Sequence, residues 1–407
     1  MEQSIPTMRN IAIVNSVHKG STGKIASGLH KYLLQCGYNS IFCYGRGDKY
    51  IDRTHYRIDR VFEFYFHALM CRLFGAQGTY SRWATRRLLR LFKRNNVDTV
   101  YGIGLHGYYL NERMFFDYII KNDIRYIYIM TEEYPFLGKC GYSNGCTNYL
   151  SGCGNCPQKR EYPRSLFFDR SRLIYRIKQK AYSQLRKAVF VGPEYTIIAS
   201  KKSPLMHNIK TDIVDEAIDI NLYYPREVME LKKRLNIAKE KIVLVCVAPF
   251  SYERKGCKYF MQAAEALKND DRFIFVHVGY TGDISLCPNN YIPIRFEANQ
   301  SKLAEYYSLA DLFVFPSLLD TMPNACLEAL ACGSPLLCFN ISGMPYIADE
   351  TTATFIEAKN VSQMVDVIKK TRKKTQDTIN TCRAYAVQRY DNQKYYEKLL
   401  DAGKSID

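Results

Sequence analysis

The chain has 407 residues, of which 47% are hydrophobic and 24% are charged. This balance is that of a globular protein, and the length exceeds what one ordinary core accommodates, so we expect two domains. No uncharged apolar run reaches about 18 residues, which excludes a transmembrane helix. The amino-terminal sequence lacks the basic region and the cleavage site of a secreted protein, so we expect a cytoplasmic one.

Positive charge is in excess, because 57 Lys and Arg residues face 40 Asp and Glu residues, a net charge of +17. An excess of this size suits a nucleic acid, an anionic membrane or a phosphorylated ligand. The sequence has no zinc finger of the nucleic-acid type and no RNA-binding aromatic motif. We therefore expect no nucleic acid partner.

Strand and helix patterns alternate along both halves of the chain. In the first half, strands are predicted at residues 10–17, 40–45, 97–104 and 125–130, with helices at 24–37, 82–94 and 114–123. In the second half, strands are predicted at residues 241–248, 272–279 and 312–317, with helices at 257–270, 301–310 and 325–333. This alternation predicts an α/β fold of two doubly wound, Rossmann-like domains that face a cleft.

The pattern breaks near Pro225, which places the domain boundary close to that point. We assign residues 1–218 to an amino-terminal domain with a cysteine-rich insert at about 138–158. Residues 219–385 form the second domain, and 386–407 a final helix that packs back across the domains.

The first strand leads into the segment HKGSTGKIA, in which Gly20, Ser21 and Gly23 precede a helix. Glycine lets the backbone approach a ligand closely, and the start of a helix offers N–H groups to phosphate. The segment matches neither the Walker pattern nor G-x-G-x-x-G. An ordinary strand-to-helix turn and a phosphate-binding loop are equally supported.

Two basic helix patterns lie in the first half, at residues 82–94 and 170–187. In the first of them, basic residues recur on one helical face at Arg82, Arg86, Arg90 and Lys93. Each pattern is typical of a solvated helix over a core. Because both lie in the same half, they also indicate peripheral contact with the anionic inner face of a membrane.

A single histidine, His106, follows the strand pattern at 97–104. A lone histidine is more often structural than catalytic. At the end of a strand facing the expected cleft, it is a candidate for acceptor binding or proton transfer.

Four cysteines, Cys140, Cys146, Cys153 and Cys156, follow one another with the spacing C-x5-C-x6-C-x2-C in a segment rich in Gly and Asn. Four thiolates suit a structural Zn²⁺ site. Two disulfides, which a cytoplasmic location disfavours, and an iron–sulfur cluster are the alternatives. Cysteines inside apolar patterns are expected in the core, namely Cys246, Cys326, Cys332 and Cys338.

Arg254 and Lys255 lie between a predicted strand and the helix after it. A lysine point charge beside an arginine fork suits a diphosphate, although a basic pair is also common on solvated surfaces. The same sheet edge is predicted to carry other polar groups, which favours the diphosphate. The sequence has no D-x-D motif. We therefore expect cationic side chains, and no catalytic metal, to offset the negative charge of the diphosphate.

Two carboxylates, Asp320 and Glu328, flank the turn Met322, Pro323, Asn324. Asp320 is predicted in the loop after a buried strand, and Glu328 in the helix that follows. Open α/β sheets bind ligands at this edge. Ionised carboxylates accept hydrogen bonds from hydroxyls, so a polyhydroxylated ligand is expected.

Together these segments resemble the retaining glycosyltransferases of family 4, which have the two-Rossmann GT-B fold. The span from Asp320 to Glu328, followed by ALACGSP, lies where that family carries its E-x7-E signature. The segments ERKG, GSTGKIA, YSLADLFVFPS and EAIDINLYYP also match family motifs. A subgroup of capsule, O-antigen and colanic-acid-type polysaccharide enzymes shares GTYSRWATRRLL, LHGYYLN and the four-cysteine segment.

The resemblance implies a metal-independent, hexosyltransferase-type enzyme that uses a UDP- or GDP-sugar. It would transfer the sugar, with retention of the anomeric configuration, to a hydroxyl of a glycan. That glycan would be lipid-linked, and the reaction would belong to surface polysaccharide synthesis. Glu328 would hold the ribose, and Asp320 with the backbone of Met322, Pro323 and Asn324 would meet sugar hydroxyls.

The resemblance also assigns the charge of the leaving diphosphate to Arg254 and Lys255, with Gly20–Gly23 approaching it from the other domain. Catalysis would then be mainly electrostatic.

Three positions depart from the family pattern. The first signature Glu is Asp320, and the usual Arg after the first strand of the second half is absent, so Arg254 would take its place. The subgroup carries His-Asp where this chain has Thr131 and Glu132. The role of that histidine would fall to Glu132, Glu133 or His106. A GT-B nucleotide-sugar epimerase and a catalytically weakened binding module are therefore alternatives to the transferase.

Overall fold

The computed structural model describes residues 9–48 and 52–406. The first eight residues, on which the expectation about secretion depends, lie outside the described ones. Contacts divide the chain into two compact units. Unit 1 comprises the residues up to Val214 together with those from Tyr396 onward, and unit 2 comprises Asp215–Tyr395.

Strands and helices alternate through most of the chain. The strands are β1 (Asn10–Val17), β2 (Asn39–Arg46), β3 (His55–Arg57), β4 (Thr99–Ile103), β5 (Arg125–Ile129), β6 (Ala188–Gly192), β7 (Lys210–Ile213), β8 (Ile242–Val247), β9 (Phe273–Val278), β10 (Tyr291–Ile294), β11 (Leu312–Phe315), β12 (Leu336–Phe339) and β13 (Ala353–Ile356). The helices are α1 (Gly20–Gln35), α2 (Val61–Phe74), α3 (Arg82–Arg94), α4 (Glu112–Lys121), α5 (Ser171–Tyr182), α6 (Glu194–Ser200), α7 (Met229–Arg234), α8 (Cys257–Ala266), α9 (Gln300–Leu309), α10 (Asn324–Ala331), α11 (Val361–Lys370), α12 (Gln376–Tyr390) and α13 (Asn392–Lys404).

Unit 1 is built on a seven-stranded parallel sheet with the order β3-β2-β1-β4-β5-β6-β7. The chain winds outward from β1 in one direction and then, from β4, in the other. The point between β1 and β4 is therefore a topological switch point, where open α/β sheets leave a crevice at the carboxyl ends of the strands. Helix α13 packs on this unit, where Tyr101 donates its hydroxyl to the carbonyl of Leu399 at 3.2 Å.

Unit 2 is built on a six-stranded parallel sheet with the order β10-β9-β8-β11-β12-β13. Its switch point lies between β8 and β11. The strands beside it, IVLVCV in β8 and LFVF in β11, are apolar throughout and buried on both faces. Runs of this kind are typical of parallel strands covered by helices on each side.

The predicted elements agree with the structure where the pattern is long and regular. Strand β1 and helix α3 have the predicted bounds, and Asp320 follows β11 while Glu328 lies in α10. The four cysteines expected in the core are buried. Among the described residues, no helix combines the length and apolar character that a membrane span requires.

Three helix predictions were wrong in their bounds by four residues or more. The helix predicted at 257–270 is α8, which ends at Ala266. Helix α1 begins at Gly20, four residues earlier than predicted, because glycine accepts the φ of +82° at which the chain turns directly into the helix. The second basic helix, α5, ends at Tyr182. It is also less solvated than expected, since Lys178 is fully buried and donates hydrogen bonds to the carbonyls of Tyr134, Leu137 and Gly138.

Candidate functional site

The loops that follow β8 and β11 are joined at the switch point of unit 2. The backbone carbonyl of Arg254 accepts hydrogen bonds from the amide of Leu318 at 2.7 Å and from the hydroxyl of Ser317 at 3.1 Å. Arg254 belongs to the first loop and Ser317 to the second. The two loops therefore form one structure at the carboxyl edge of the sheet.

Gly256 makes this junction possible. Its φ is +68°, and a Cβ atom at this position would lie only 1.8 Å from the carbonyl oxygen of Pro316. A side chain would thus meet both a strained backbone and a backbone atom that cannot easily move away. The residue ends the turn that carries Arg254 and Lys255 and begins α8.

Asp320 lies at the centre of a charged cluster. Its carboxylate accepts hydrogen bonds from Arg254 Nη1 at 2.8 Å and from Lys255 Nζ at 2.9 and 3.0 Å. The hydroxyl of Ser317 donates to it at 2.6 Å. Both carboxylate oxygens thus accept two hydrogen bonds each, which leaves little capacity for a further ligand.

Electrostatics keep Asp320 ionised. Burial acts to raise the pKa of this carboxyl, but the charges of Lys255 and Arg254 outweigh burial, and the pKa is lowered. The side chains of Arg254 and Lys255 remain 32% and 16% exposed. The cluster can therefore present two oriented cations to an anion at the sheet edge.

Glu328 lies on α10, about one helical turn after Asn324, the first residue of that helix. Its side chain is buried, and Tyr307 donates its hydroxyl to Oε2 at 2.6 Å. Met322 precedes α10, Pro323 occupies its N-cap position, and Asn324 is its first residue. This places the amino terminus of α10 beside the charged cluster, where its dipole favours negative charge.

Glu216 is a buried carboxyl that opens the segment EAIDINLYYP, but it was not among the predicted site residues. Burial raises its pKa to about 8, and the nearby charge of Asp320 acts in the same direction. Its backbone amide contacts the sulfur of Met322 at 3.2 Å. The match of EAIDINLYYP to a family motif was the signal that could have marked Glu216, whereas its burial beside Asp320 depends on the tertiary structure.

The carboxyl ends of β1 and β4 form the corresponding edge in unit 1. Gly20, Ser21 and Gly23 all lie in the first turn of α1, which starts at this edge. A Cβ atom at Gly23 would lie 2.5 Å from the carbonyl carbon of His18, so glycine lets the helix pack closely on the turn. A helix amino terminus in this position is suited to an anionic group.

His106 follows β4 at the same edge and is paired with Glu132, which follows β5. The imidazole Nε2 lies 2.6 Å from Glu132 Oε1, and Nδ1 lies 3.2 Å from the hydroxyl of Tyr162. Tyr162 was not predicted as a site residue. A carboxylate in this position orients the imidazole ring.

Glu133, the other predicted substitute for the missing histidine, has a different place. It is buried and accepts hydrogen bonds from the amide of Ser143 at 2.6 Å and the hydroxyl of Tyr195 at 3.2 Å. It therefore anchors the cysteine-rich segment, while Glu132 faces His106.

The four-cysteine segment folds around a small cavity in unit 1. All four residues, Cys140, Cys146, Cys153 and Cys156, are free thiols and line this cavity. A Cβ atom at Gly138 would lie 2.7 Å from the sulfur of Cys153, so the chain wraps tightly there. Four thiols are the donor set of one class of structural metal site.

Two buried ammonium groups flank the cavity. Lys139 is buried and donates hydrogen bonds to the carbonyls of Gln158 at 2.9 Å and Pro163 at 2.8 Å. Lys178 is buried and donates to the carbonyls of Leu137 and Gly138, two residues that line the cavity. Four thiolates around a divalent cation carry a net negative charge, which these two cations oppose. Among the described residues, however, no three of the four sulfur atoms lie within 4.8 Å of one another, so the thiols share a cavity without having the close spacing of metal ligands.

A second group of possible metal ligands was not anticipated. Among the described residues, Cys246, Cys257 and His277 bring their donor atoms within 4.8 Å of one another in the core of unit 2. Both nitrogens of His277 are engaged, with Tyr291 at 2.6 Å and the carbonyl of Ala248 at 2.9 Å. This group is consequently a hydrogen-bonded part of the core.

Comparison with known proteins identifies the class of protein. Residues 241–373, which carry the Arg254–Lys255–Asp320 cluster and Glu328, match the family model described as glycosyl transferases group 1. Over 377 residues the chain is 22% identical to the putative colanic acid biosynthesis glycosyl transferase WcaC of Escherichia coli (strain K12), with 86% of this chain and 88% of that protein covered. The chain is a glycosyltransferase.

One further relative and one solved structure are also similar to this glycosyltransferase. It is 29% identical over 167 residues to the N,N'-diacetylbacillosaminyl-diphospho-undecaprenol alpha-1,3-N-acetylgalactosaminyltransferase of Campylobacter jejuni, covering 38% of this chain and 43% of that protein. The crystal structure of Anabaena Alr3699/HepE in complex with UDP-glucose has a TM-score of 0.62 at 12% identity, covering 97% of this chain and 99% of the other. The glycosyltransferase has the GT-B fold, as the resemblance predicted.

Proposed function

We propose that this glycosyltransferase transfers a sugar, with retention of configuration, from a nucleotide-diphosphate donor to a hydroxyl of a glycan. The observation that carries the proposal is the pair Arg254 and Lys255, fixed on buried Asp320 at the switch point of the group 1 domain. The UDP-glucose held by the Anabaena protein of the same fold supports a UDP-sugar donor, and a GDP-sugar has the same diphosphate.

The two cations would act on the leaving group. As the bond between sugar and phosphate breaks, negative charge grows on the diphosphate, and oriented cations stabilise that charge without reorganising. Asp320 would position both side chains rather than bind the sugar, because its oxygens already accept four hydrogen bonds. No catalytic metal is required in this scheme.

Glu328 would accept hydrogen bonds from the ribose hydroxyls, with Tyr307 holding the carboxylate in place. The backbone of Met322, Pro323 and Asn324 at the start of α10 would contact the donor sugar. In unit 1, Gly20, Ser21 and Gly23 would offer the amino terminus of α1 to an anionic group.

His106 would bind the acceptor hydroxyl or take up its proton, with Glu132 orienting the ring. This pair supports the view that His106, at the end of the neighbouring strand β4, takes the role of the histidine that the subgroup carries where this chain has Thr131 and Glu132. The names of the E. coli and C. jejuni relatives support a lipid-linked acceptor in the synthesis of a surface polysaccharide.

The proposal is tested by measuring nucleoside diphosphate release with a panel of UDP- and GDP-sugars and lipid-linked acceptors. Lys255→Ala is expected to lower the rate by about 100-fold, the usual loss when one group that stabilises developing charge is removed. Lys258→Ala is the matched control, because this lysine is exposed and lies three residues away. Equal activity of the two variants would contradict the assigned site.

Other outcomes of the same assay distinguish the alternatives. Donor binding without turnover on any acceptor would favour a binding module. A change in the sugar that needs no acceptor would reveal an epimerase.

We also propose that the four cysteines hold a structural zinc ion, as the shared cavity and the two flanking lysines suggest. The protein purified without chelator should contain about one zinc per chain, and Cys156→Ser should lower both the zinc content and the thermal stability of unit 1. Cys36→Ser, which alters an exposed thiol, is the control. Metal-free protein with four titratable thiols and unchanged stability would refute the zinc site.

We propose that the enzyme is held peripherally at the cytoplasmic face of a membrane. The net charge of +17 and the lipid-linked acceptor support it.

A further inference from the structure

The outward face of α2 is apolar, although this helix lies on the surface of unit 1. Its exposed apolar side chains are Val61, Phe62, Tyr65, Phe66, Leu69 and Phe74. Phe62 and Tyr65 alone are 58% and 64% exposed. A surface helix normally turns polar residues to water, and a large exposed apolar patch marks a binding surface.

This apolar face continues onto a neighbouring segment. Phe74 stacks on Phe168 with ring centroids 5.9 Å apart, and the amide of Leu166 donates to the carbonyl of Arg72 at 2.7 Å. Leu166, Phe167 and Phe168 are all exposed. We call the exposed apolar residues of α2, together with residues 166–168, the α2 surface.

Polar contacts on the opposite side hold α2 in this orientation. Glu63 is buried, forms an ion pair with Arg87 on α3, and caps the first turn of α2 through the amide of Arg60. His67 contacts the hydroxyl of Ser81 at 2.6 Å. Rotating the helix to hide its apolar face would break these buried contacts, so the apolar side chains are committed to the outside.

The charge around the α2 surface is positive. Between Arg60 and Arg94, the sequence contains one acidic residue, Glu63, and its charge is taken up by Arg87. The guanidinium of Arg170 lies 5.6 Å from the ring centroid of Phe168. A second copy of the chain would bring these like charges together, whereas an anionic lipid bilayer complements both the charge and the apolar side chains.

The α2 surface is also close to the predicted acceptor side. An unbroken series of aromatic contacts leads from Phe64 to Tyr108 at 5.9 Å, then to Tyr162 at 5.7 Å, and from there to His106 at 5.6 Å. Two aromatic rings in succession, those of Tyr108 and Tyr162, therefore connect Phe64 of α2 with the imidazole.

We propose that the α2 surface inserts into the interfacial region of an anionic lipid bilayer. The aromatic and aliphatic side chains enter the acyl boundary, and the arginines around them contact phosphate headgroups. The consequence for catalysis rests on the proposed function: a lipid-linked acceptor kept in the bilayer has its polar head within reach of His106. The basic face of α3, which the sequence singled out, adds attraction but is not the inserted element.

Co-sedimentation with lipid vesicles tests this proposal. Wild-type protein should bind vesicles of phosphatidylglycerol and phosphatidylcholine much better than vesicles of phosphatidylcholine alone. Phe62→Ser combined with Phe66→Ser should weaken that binding by at least about tenfold, because two large apolar side chains lose their burial. Leu286→Ser combined with Phe296→Ser is the matched control, since these unit 2 side chains are 74% and 82% exposed.

Several outcomes would overturn the inference. These are unchanged binding of the Phe62/Phe66 variant, equal loss in the control, no vesicle binding by the wild type, or a dimer in sedimentation that the variant disperses. Thermal melting checks that both variants fold. A donor-sugar thermal shift, measured on the same variants, separates this inference from the proposed function, because it reports on unit 2 and needs no membrane.

Discussion

At the scale of single residues, the most consequential arrangement is Asp320 between two cations. A buried carboxylate is costly unless its charge is paired and its oxygens are hydrogen-bonded, and Arg254, Lys255 and Ser317 meet both conditions. In return, the carboxylate fixes two long, flexible side chains that would otherwise lose entropy on meeting a ligand. The cluster is thus prepared for an anion before the anion arrives.

Glu216 makes the stability of unit 2 depend on pH. Its pKa is raised from the ordinary value of 4.5 to about 8, so the unfolded state ionises above about pH 4.5 while the folded state keeps its proton. The stability linked to Glu216 is complete below that pH and is lost as the pH rises toward 8. Glu216→Gln should therefore melt at a higher temperature than the wild type at pH 8 and at nearly the same temperature at pH 4.5.

For the wild type, the free energy of unfolding should fall by at most about 1.4 kcal/mol for each pH unit in this range. Differential scanning fluorimetry across this range provides the measurement, with the exposed Glu240→Gln as the control. A constant difference between Glu216→Gln and the wild type at all pH values would contradict the buried neutral carboxyl.

At the scale of elements, the turn between β8 and α8 decides whether the charged cluster forms. Gly256→Ala should destabilise the protein by about 1 to 3 kcal/mol through its left-handed backbone alone. The clash with the carbonyl of Pro316 adds to this cost and separates the loops that carry Lys255 and Asp320. Activity should fall further than stability explains.

Gly37→Ala is the matched control, because Gly37 has a φ of +83° and a Cβ atom added there would meet no atom of the described residues within 4 Å. It should lose about 1 kcal/mol and keep its activity. Urea unfolding and nucleoside diphosphate release measure the two effects. If both variants lost equal stability and equal activity, the packing role of Gly256 would be refuted.

At the scale of the whole molecule, the chain consists of two units, each with its own sheet and hydrophobic core. We expect calorimetry to resolve a separate transition for each unit. A donor nucleotide sugar at about 100 times its Kd should stabilise one of them by about 2.7 kcal/mol. That transition should be the one whose midpoint at pH 8 responds to Glu216→Gln, since both Glu216 and the proposed donor site belong to unit 2.

Lys255→Ala supplies the control for this measurement, because it should abolish the ligand-induced shift without moving the other transition. A donor that stabilised only the transition unaffected by Glu216→Gln would place the donor site in unit 1.

Features that depend on neighbouring residues could be predicted from the sequence. The apolar run of β11, the helix pattern of α10 and the glycines at turns follow from local periodicity and backbone preference, so the strand ends carrying Arg254, Asp320 and His106 were predictable. The motif spacing added the family, and with it the fold. The order of the strands was not visible, because pairing between distant segments leaves no local pattern.

The contacts of those residues depend on the tertiary structure. It places β8 beside β11, which makes Asp320 the partner of Lys255, and it pairs His106 with Glu132 from the next strand. It also turns Lys178 inward and Phe62, Phe66 and Phe74 of α2 outward, contrary to the ordinary preference of each side chain. Hydrogen bonds and ion pairs between distant segments set those orientations, and their energy exceeds the local preference that a sequence displays.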